Sequence, residues 1–223
     1  MLKYSMHLNI VLLEASLELV PKEIVNHPAV IKNAKRRDKK PEETLLDISL
    51  HYHAMKSLEN SHKRGRPDIL HQALLVILND PVIKGDLFIH TIQSKIIKVN
   101  PNMRPPKNYL RFMGLMEQLL KYGRIPINGD ESLMEVTNLT LEEIAARYNL
   151  ILLSEKGEKI NPEELCKLDE KWILGIGTFP HGDFSEKILS LAKKIYSISE
   201  FQLETQQVLC RIFSACNSIL GWP

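Results

Sequence analysis

Residues Trp172–Ser185 read WILGIGTFPHGDFS. An apolar, strand-like segment, Trp172–Ile176, stops at Gly177. A short turn, Thr178-Phe179-Pro180-His181-Gly182, leads through Asp183 into a helical pattern from Phe184. A buried strand that empties into glycines before a helix is where α/β sheets hold small ligands, because ligands collect in the crevice beyond the strand ends. Glycine there admits backbone or ligand where a Cβ would intrude. Ordinary tight connections also use glycine, so the turn acquires meaning only from what surrounds it.

Outward from this stretch, strand and helix alternate. Thr140–Tyr148 is predicted as a helix, with Thr140 as cap and Glu143 three residues on. Strand Leu150–Leu153, turn Ser154–Gly157, helix Pro162–Leu168, strand Trp172–Ile176, helix Phe184–Ala192, strand Ile195–Ile198 and a long helix over 203–220 follow. That alternation predicts an α/β fold, a mostly parallel sheet with helices on both faces. In the first half, Leu8–Glu14 reads as a buried strand. Pro21–Lys40 reads as partly helical and then loose and basic, and Pro41–Leu58 as one helix with Pro at its start. A helix runs from Pro67 to the Asn79-Asp80-Pro81 stop. Leu87–Ile92 and Lys95–Val99 pair as a hairpin. Asn108–Tyr122 is a helix whose Phe112, Leu115, Met116, Leu119 and Leu120 form one buried stripe. One domain over residues 1–223 is expected, with a basic helical and loop insertion around 28–66.

Composition narrows the function. At 44% hydrophobic and 25% charged, the chain is an ordinary globular sequence rather than a disordered one. No apolar run approaches the roughly 20 residues of a membrane helix, and no signal peptide is evident, so a cytoplasmic protein is expected. Cys166, Cys210 and Cys216 lack metal-ligand spacing and read as reduced thiols. The net charge of +2 is too small for a chain that binds nucleic acid over its whole surface. Three basic clusters stand out instead: Lys32–Lys40, His62–Arg66, and Arg104, Lys107 and Arg111. Together they suggest a localised basic surface, although any one alone can be a solvated face.

Three loops follow the three strands of the parallel half: Leu153-Ser154, Gly177–Gly182, and Ile198–Leu203. If those strands are neighbours, the loops form one pocket of backbone, glycine and apolar side chain, which suits an adenine ring. No GxxxxGK[ST] or GxGxxG motif supports a triphosphate or a dinucleotide. His51 and His53, two apart, fall on different helix faces and are a poor metal pair. His71 and His90 read as structural, and His181 more as a brace of its own turn than as an acid or base. Asp68, two residues from Arg66 at a helix mouth, can hold the guanidinium in a fork; otherwise it serves the helix dipole. Arg104, Lys107 and Arg111 can share one exposed face as a phosphate track.

Five blocks, RPDILHQALL (66–75), IHT (His90 and Thr91 with Ile89), VNPNMRPPKNYLRFMGLMEQLL (99–120), GTFPHGDFS (177–185) and YSISEFQLETQQVLCRIF (196–213), together resemble the ribosome-biogenesis small-subunit rRNA pseudouridine N(1)-methyltransferase family of the SPOUT class. The resemblance spans Leu8 to Trp222 and is closer to archaeal members. It implies a SPOUT-type fold with a C-terminal trefoil knot, a homodimer, and S-adenosyl-L-methionine as methyl donor. The target would be N(1) of a pseudouridine in a small-subunit rRNA hairpin loop, with a role in ribosomal small-subunit assembly and ribosomal assembly proteins as further partners. Carried over by residue, it implies cofactor binding by Leu153, Ser154, Gly177, Gly182, Ile198, Ser199, Glu200, Phe201, Gln202 and Leu203. It implies RNA binding by Arg66, held by Asp68, and by Arg104, Lys107 and Arg111. Lys107, where arginine can stand in the family, is a point charge without a bidentate fork. No general base is evident. The rival readings are a non-catalytic rRNA-binding assembly factor and a SPOUT methyltransferase with another RNA target.

Overall fold

The computed structural model describes residues 6–81 and 83–221, without the side chain of Ile83; Trp222, where the resemblance ends, lies outside the described residues. The scaffold is an eight-stranded sheet. Its strands are β2 (Asn9–Ala15), β4 (Leu87–Thr91), β5 (Ile96–Val99), β6 (Arg124–Ile125), β7 (Met134–Thr137), β8 (Asn149–Lys159), β9 (Trp172–Gly177) and β10 (Lys194–Ser197), in the order β10-β8-β9-β2-β4-β5-β7-β6. The five strands from β10 to β4 are parallel, and β5, β7 and β6 add an antiparallel edge. Two short strands, β1 (Met6–His7) and β3 (Ile83–Lys84), pair separately.

Strand β2 is central and wholly buried. Its alternate residues serve opposite faces. Ile10 and Leu12 join one core with Leu74 of α3 (Pro67–Asn79), Phe112 and Met116 of α4 (Tyr109–Tyr122), and Leu209 and Ile212 of α8 (Thr205–Ile219). Val11 and Leu13 join the other with Leu141 and Ile144 of α5 (Leu141–Arg147) and Ile188 of α7 (Glu186–Leu191). Helices therefore cover both faces, as the alternation predicts. Thr140 and Glu143 form the expected reciprocal cap on α5.

Three expectations need correction. Pro41–Leu58 is not one helix. A 3-10 turn at Pro41–Glu43 gives way to extended residues, and α2 begins only at Ile48 and ends at Met55, capped by Asp47. Leu46 N–H donates to Glu18 and Val20 N–H to the Thr44 carbonyl. The extended backbone sends adjacent Leu45 and Leu46 to different cores: Leu45 to the main one, Leu46 to a satellite core with Val20, Ile24, Met55 and Val30 of α1 (Pro28–Arg36). A helix, turning about 100° per residue, would not separate neighbours so fully.

Ser154–Gly157 is not a turn that ends a strand. β8 continues to Lys159, and its pairing with β10 jumps from Leu152↔Ile195 to Glu158↔Tyr196, so the intervening residues bulge outward. Gly157 is required at that crossing: a Cβ would lie 2.6 Å from the Tyr196 backbone. Strands β6 and β7 gave no periodic signal, being two and four residues long. Cys166 and Cys216 are not free thiols but a disulfide between the end of α6 (Pro162–Leu165) and α8; only Cys210 is free and exposed. No helix among the described residues is long and apolar enough to cross a membrane.

Candidate functional site

Because β10, β8 and β9 are neighbours and parallel, their C-terminal ends open at one edge of the sheet. A cavity of about 410 Å³ lies there, within the range of small-ligand sites. It brings together Leu153, Ser154, Gly177, Gly182, Ile198, Ser199, Phe201, Gln202 and Leu203. Of the ten residues the sequence nominated, only Glu200 is not on its wall; that side chain faces outward and pairs with Lys159 at 2.6 Å. The wall also includes Phe179, Phe184, Tyr196 and Thr205, which sequence reasoning did not single out. Thr205, buried at the start of α8, donates from Oγ1 to the Gly177 carbonyl at 2.7 Å and so ties helix to turn.

The cavity is polar where main chain faces it. The N–H groups of Gln202 and Leu203 have no hydrogen-bond partner among the described residues, whereas Phe201 N–H donates to Ser199 Oγ within the loop and Glu204 N–H to Gln207 Oε1 in the first turn of α8. Free N–H groups beside apolar walls can read the edge of a flat heteroaromatic ring whose faces are in van der Waals contact. Phe179 and Phe184 meet edge to face, centroids 5.5 Å apart, against the Gly177 turn. Gly182 has φ +96°, which side-chain-bearing residues rarely adopt. His181 is exposed and makes no hydrogen bond among the described residues, so the expected brace of its own turn is not found.

Arg66 reaches the same cavity from the other side of the sheet edge. Arg66 is the N-cap residue of α3, and Pro67 begins the helix. Its guanidinium donates from Nε to Asp68 Oδ1 and from Nη2 to Oδ2, both at 2.8 Å. That is the fork the sequence suggested, and it raises the Arg66 pKa further above its ordinary value, chiefly through the Asp68 hydrogen bonds. Both side chains remain about a third exposed, which leaves a face for a ligand.

The three basic clusters meet different fates. Arg104, Lys107 and Arg111 are all exposed, but they do not share a helix face: α4 starts at Tyr109, with Asn108 as cap, so only Arg111 is helical. Arg104 is held in the preceding loop by the Leu78 and Met103 carbonyls. In the other clusters several cations are spent internally. Arg37 and Lys39 converge on buried Glu117, Arg64 makes a bidentate pair with buried Glu18, and Lys63 binds Glu14. Their acidic partners lie 46 to 80 residues away in sequence, which is why the runs alone gave no warning.

His71 and His90 are structural, as read. His51 is buried on α2 while His53 is exposed. Asp47 N–H donates to His51 Nδ1 at 3.1 Å, and Nε2 lies 3.1 Å from the Asn33 amide nitrogen. His90 Nδ1 likewise accepts from Glu14 N–H. Burial lowers the pKa of both rings. His71 Nε2–H donates to the Pro106 carbonyl at 2.6 Å, and the ring stacks on Phe112.

Known proteins share this fold. The family model described as EMG1/NEP1 methyltransferase matches residues 10–217. The chain is 90% identical over 218 residues to the ribosomal RNA small subunit methyltransferase Nep1 of Saccharolobus solfataricus, covering 98% of this chain and all of that one. It is 60% identical to the protein of the same name from Sulfurisphaera tokodaii, again over 98% of this chain and all of the other. The crystal structure of Archaeoglobus fulgidus Nep1 bound to S-adenosylhomocysteine superposes with a TM-score of 0.89 at 42% identity, covering 97% of this chain and 100% of that one. This chain belongs to the EMG1/NEP1 methyltransferase family.

Proposed function

We propose that this protein methylates N(1) of a pseudouridine in a hairpin loop of small-subunit rRNA, with S-adenosyl-L-methionine as donor, and that it acts in small-subunit assembly. The observation that carries the reading is the meeting of two unlike walls in one cavity. One is the backbone and glycine wall from β8, β9 and β10, and the other is a pre-ordered arginine at the mouth of α3. The relatives' printed names support the rRNA target, and the bound S-adenosylhomocysteine of the Archaeoglobus protein supports the donor.

Bound there, the donor would supply an activated methyl group, so the protein's task is proximity and orientation. Gln202 and Leu203 N–H are available to hold the adenine edge, with Leu153, Ser154, Gly177, Gly182, Ile198, Ser199 and Phe201 around it. Arg66, held by Asp68, would contact the target nucleotide. Arg104, Lys107 and Arg111, exposed on the approach to α4, would grip the RNA backbone. A loop nucleotide leaves its stack more cheaply than a paired one, which favours a hairpin loop as target. In this reading residues 1–223 work as one domain, residues 28–66 are an appended basic unit, and the protein is a cytoplasmic homodimer that meets ribosomal assembly proteins on its rRNA.

The test is methyl transfer to a short hairpin carrying one pseudouridine, read by mass spectrometry beside the uridine version. One added methyl on the pseudouridine hairpin alone is expected. Methylation of both hairpins would move the target to another atom, and tight binding without methylation would leave an assembly factor.

A further inference from the structure

Lys63 belongs to the basic turn before α3, yet its side chain is only 13% exposed. Its ammonium meets three unlike groups. It pairs with Glu14 Oε2 at 2.9 Å, donates to the Asp183 main-chain carbonyl, and lies 4.4 Å from the centre of the Phe179 ring. Carboxylate, carbonyl and aromatic face each stabilise a cation, the last by its ring quadrupole. The Lys63 carbonyl in turn accepts from the Ser16 hydroxyl. Beside it, the His62 ring lies against Gly182, where a Cβ would stand 3.5 Å from Nε2.

The anchor is unusual. Glu14, the next-to-last residue of β2, is buried and has φ +48°. A non-glycine residue persists in that region only when its surroundings hold it there. His90 accepts its N–H and Lys63 takes its carboxylate, so both ends of the residue are fixed. The turn is thus pinned to the sheet through Glu14 and Ser16, and from there Lys63 reaches over to the Phe179–Asp183 loop. The same turn continues through Gly65 into Arg66, on the opposite wall of the cavity. The other side-chain tie on that loop, Lys156 to Asp183 at 2.7 Å, is more than 60% exposed on both partners. Such pairs hold little.

We propose that Lys63 is a positioning residue that couples the two halves of the site. When its ammonium is docked on the Asp183 carbonyl and the Phe179 face, it shapes the cofactor wall and at once fixes the turn that presents Arg66. When it is undocked, both walls loosen. Two ligands that each favour the docked arrangement tighten one another, and linkage makes the effect reciprocal. This coupling rests on the reading that Arg66 meets RNA and the glycine-lined wall meets the S-adenosyl group.

The experiment measures S-adenosylhomocysteine affinity by calorimetry, with and without saturating pseudouridine hairpin, in the wild type, Lys63→Met and Lys63→Arg. The wild-type ratio is expected on the order of 5- to 150-fold, with the same factor for hairpin affinity when the cofactor product is present. In Lys63→Met each ligand should still bind while the ratio falls to within about twofold of one. Lys63→Arg, which keeps charge and donors, should restore most of it. A second measurement needs no variant: hydrogen exchange across 178–185 in the wild type should slow when the hairpin alone is added. A wild-type ratio of one, a full ratio in folded Lys63→Met, or unchanged exchange each overturns the coupling. A hairpin that is bound and methylated without any of these effects removes the coupling only. A hairpin that does not bind removes the RNA reading and the coupling with it.

Discussion

The Arg66–Asp68 fork gives the sharpest test of how the site works. Asp68 sits in the first turn of α3, where a carboxylate also favours the helix dipole. Its two 2.8 Å bonds to Arg66 join groups that are each about a third exposed, so solvent screens the pair. A contribution of roughly 0.5 kcal/mol is reasonable for the pair, with ~0.3–1 kcal/mol from the dipole. Asp68→Asn should therefore cost about 1 kcal/mol of stability, a Tm drop of roughly 2–4 °C in a chain of this size. RNA binding should respond differently. If Arg66 makes a charge-assisted hydrogen bond to the target nucleotide, Arg66→Ala should lose ~1.5–3 kcal/mol, a roughly ten- to hundredfold weaker Kd. If Asp68 only orders Arg66, Asp68→Asn should lose the entropy of immobilising one long side chain, ~0.5–1.5 kcal/mol. In the Arg66→Ala background the same change should lose nothing. It can even help, because a bare carboxylate facing phosphate is repulsive. Fluorescence anisotropy with the hairpin, at fixed salt, completes the double-mutant cycle. Additive losses would refute the positioning role and leave Asp68 as a helix-dipole residue.

Three further outcomes are expected. Gly177→Val should weaken S-adenosylhomocysteine by ~2 kcal/mol through overpacking, because a Cβ at 177 would stand 3.0 Å from the Phe179 ring and 3.3 Å from Phe184 and would drive those rings into the cavity; unchanged calorimetry in a folded variant removes Gly177 from the wall. Removing Arg104 and Arg111 together should flatten the log–log salt dependence of RNA binding by about 1.4, at ~0.7 per phosphate on single strands, while an unchanged slope makes them a solvated face. His51 and His90, whose burial holds their pKa below the ordinary 6.5, are neutral when folded. The unfolded chain therefore binds more protons in the window just below 6.5, and stability, complete above it, should fall as pH drops, by up to ~1.4 kcal/mol per unit for each ring. Thermal melts from pH 8 to 5 check this, and a flat Tm would contradict the neutral, hydrogen-bonded assignment.

What could be read in advance follows from which forces are local. The parallel half was legible because its strands are short apolar runs punctuated by Gly, Pro and capping residues, and the Thr140/Glu143 cap is encoded within four positions. The cavity was legible for the same reason: parallel neighbours must open their loops at one edge. The Leu45/Leu46 pair misled because apolar spacing alone fits a helix, while the backbone is fixed by long-range bonds to Glu18 and Val20. The β8 bulge was hidden because Gly157 answers to the Tyr196 backbone, 39 residues on, and not to its neighbours. The cysteines misled because spacing tests for a local metal site, whereas Cys166 and Cys216 meet through tertiary packing across 50 residues.

The charge runs carry the same lesson to a decisive test. Arg37, Lys39, Lys63 and Arg64 look like an RNA footprint in sequence, but three buried carboxylates claim them. Glu117, 2% exposed, accepts from Arg37 at 2.5 and 2.8 Å, from Lys39, and from Leu45 N–H at 3.0 Å. It latches the end of α1 and the extended Leu45 segment onto α4. Glu117→Gln keeps an acceptor for Leu45 but removes the charge. Arg37 and Lys39, 21% and 32% exposed, can then turn to water. The cost should therefore fall below the ~3–5 kcal/mol of a fully buried broken pair, near 2 kcal/mol, and Tm should drop by roughly 4–8 °C. If these cations are structural, the salt slope of RNA binding should stay where it was, because no phosphate contact is lost. If instead they face RNA, freeing them from Glu117 should steepen the slope by about 0.7 for each new phosphate contact. A steeper slope at unchanged Tm would overturn the latch and return the first basic run to the RNA surface.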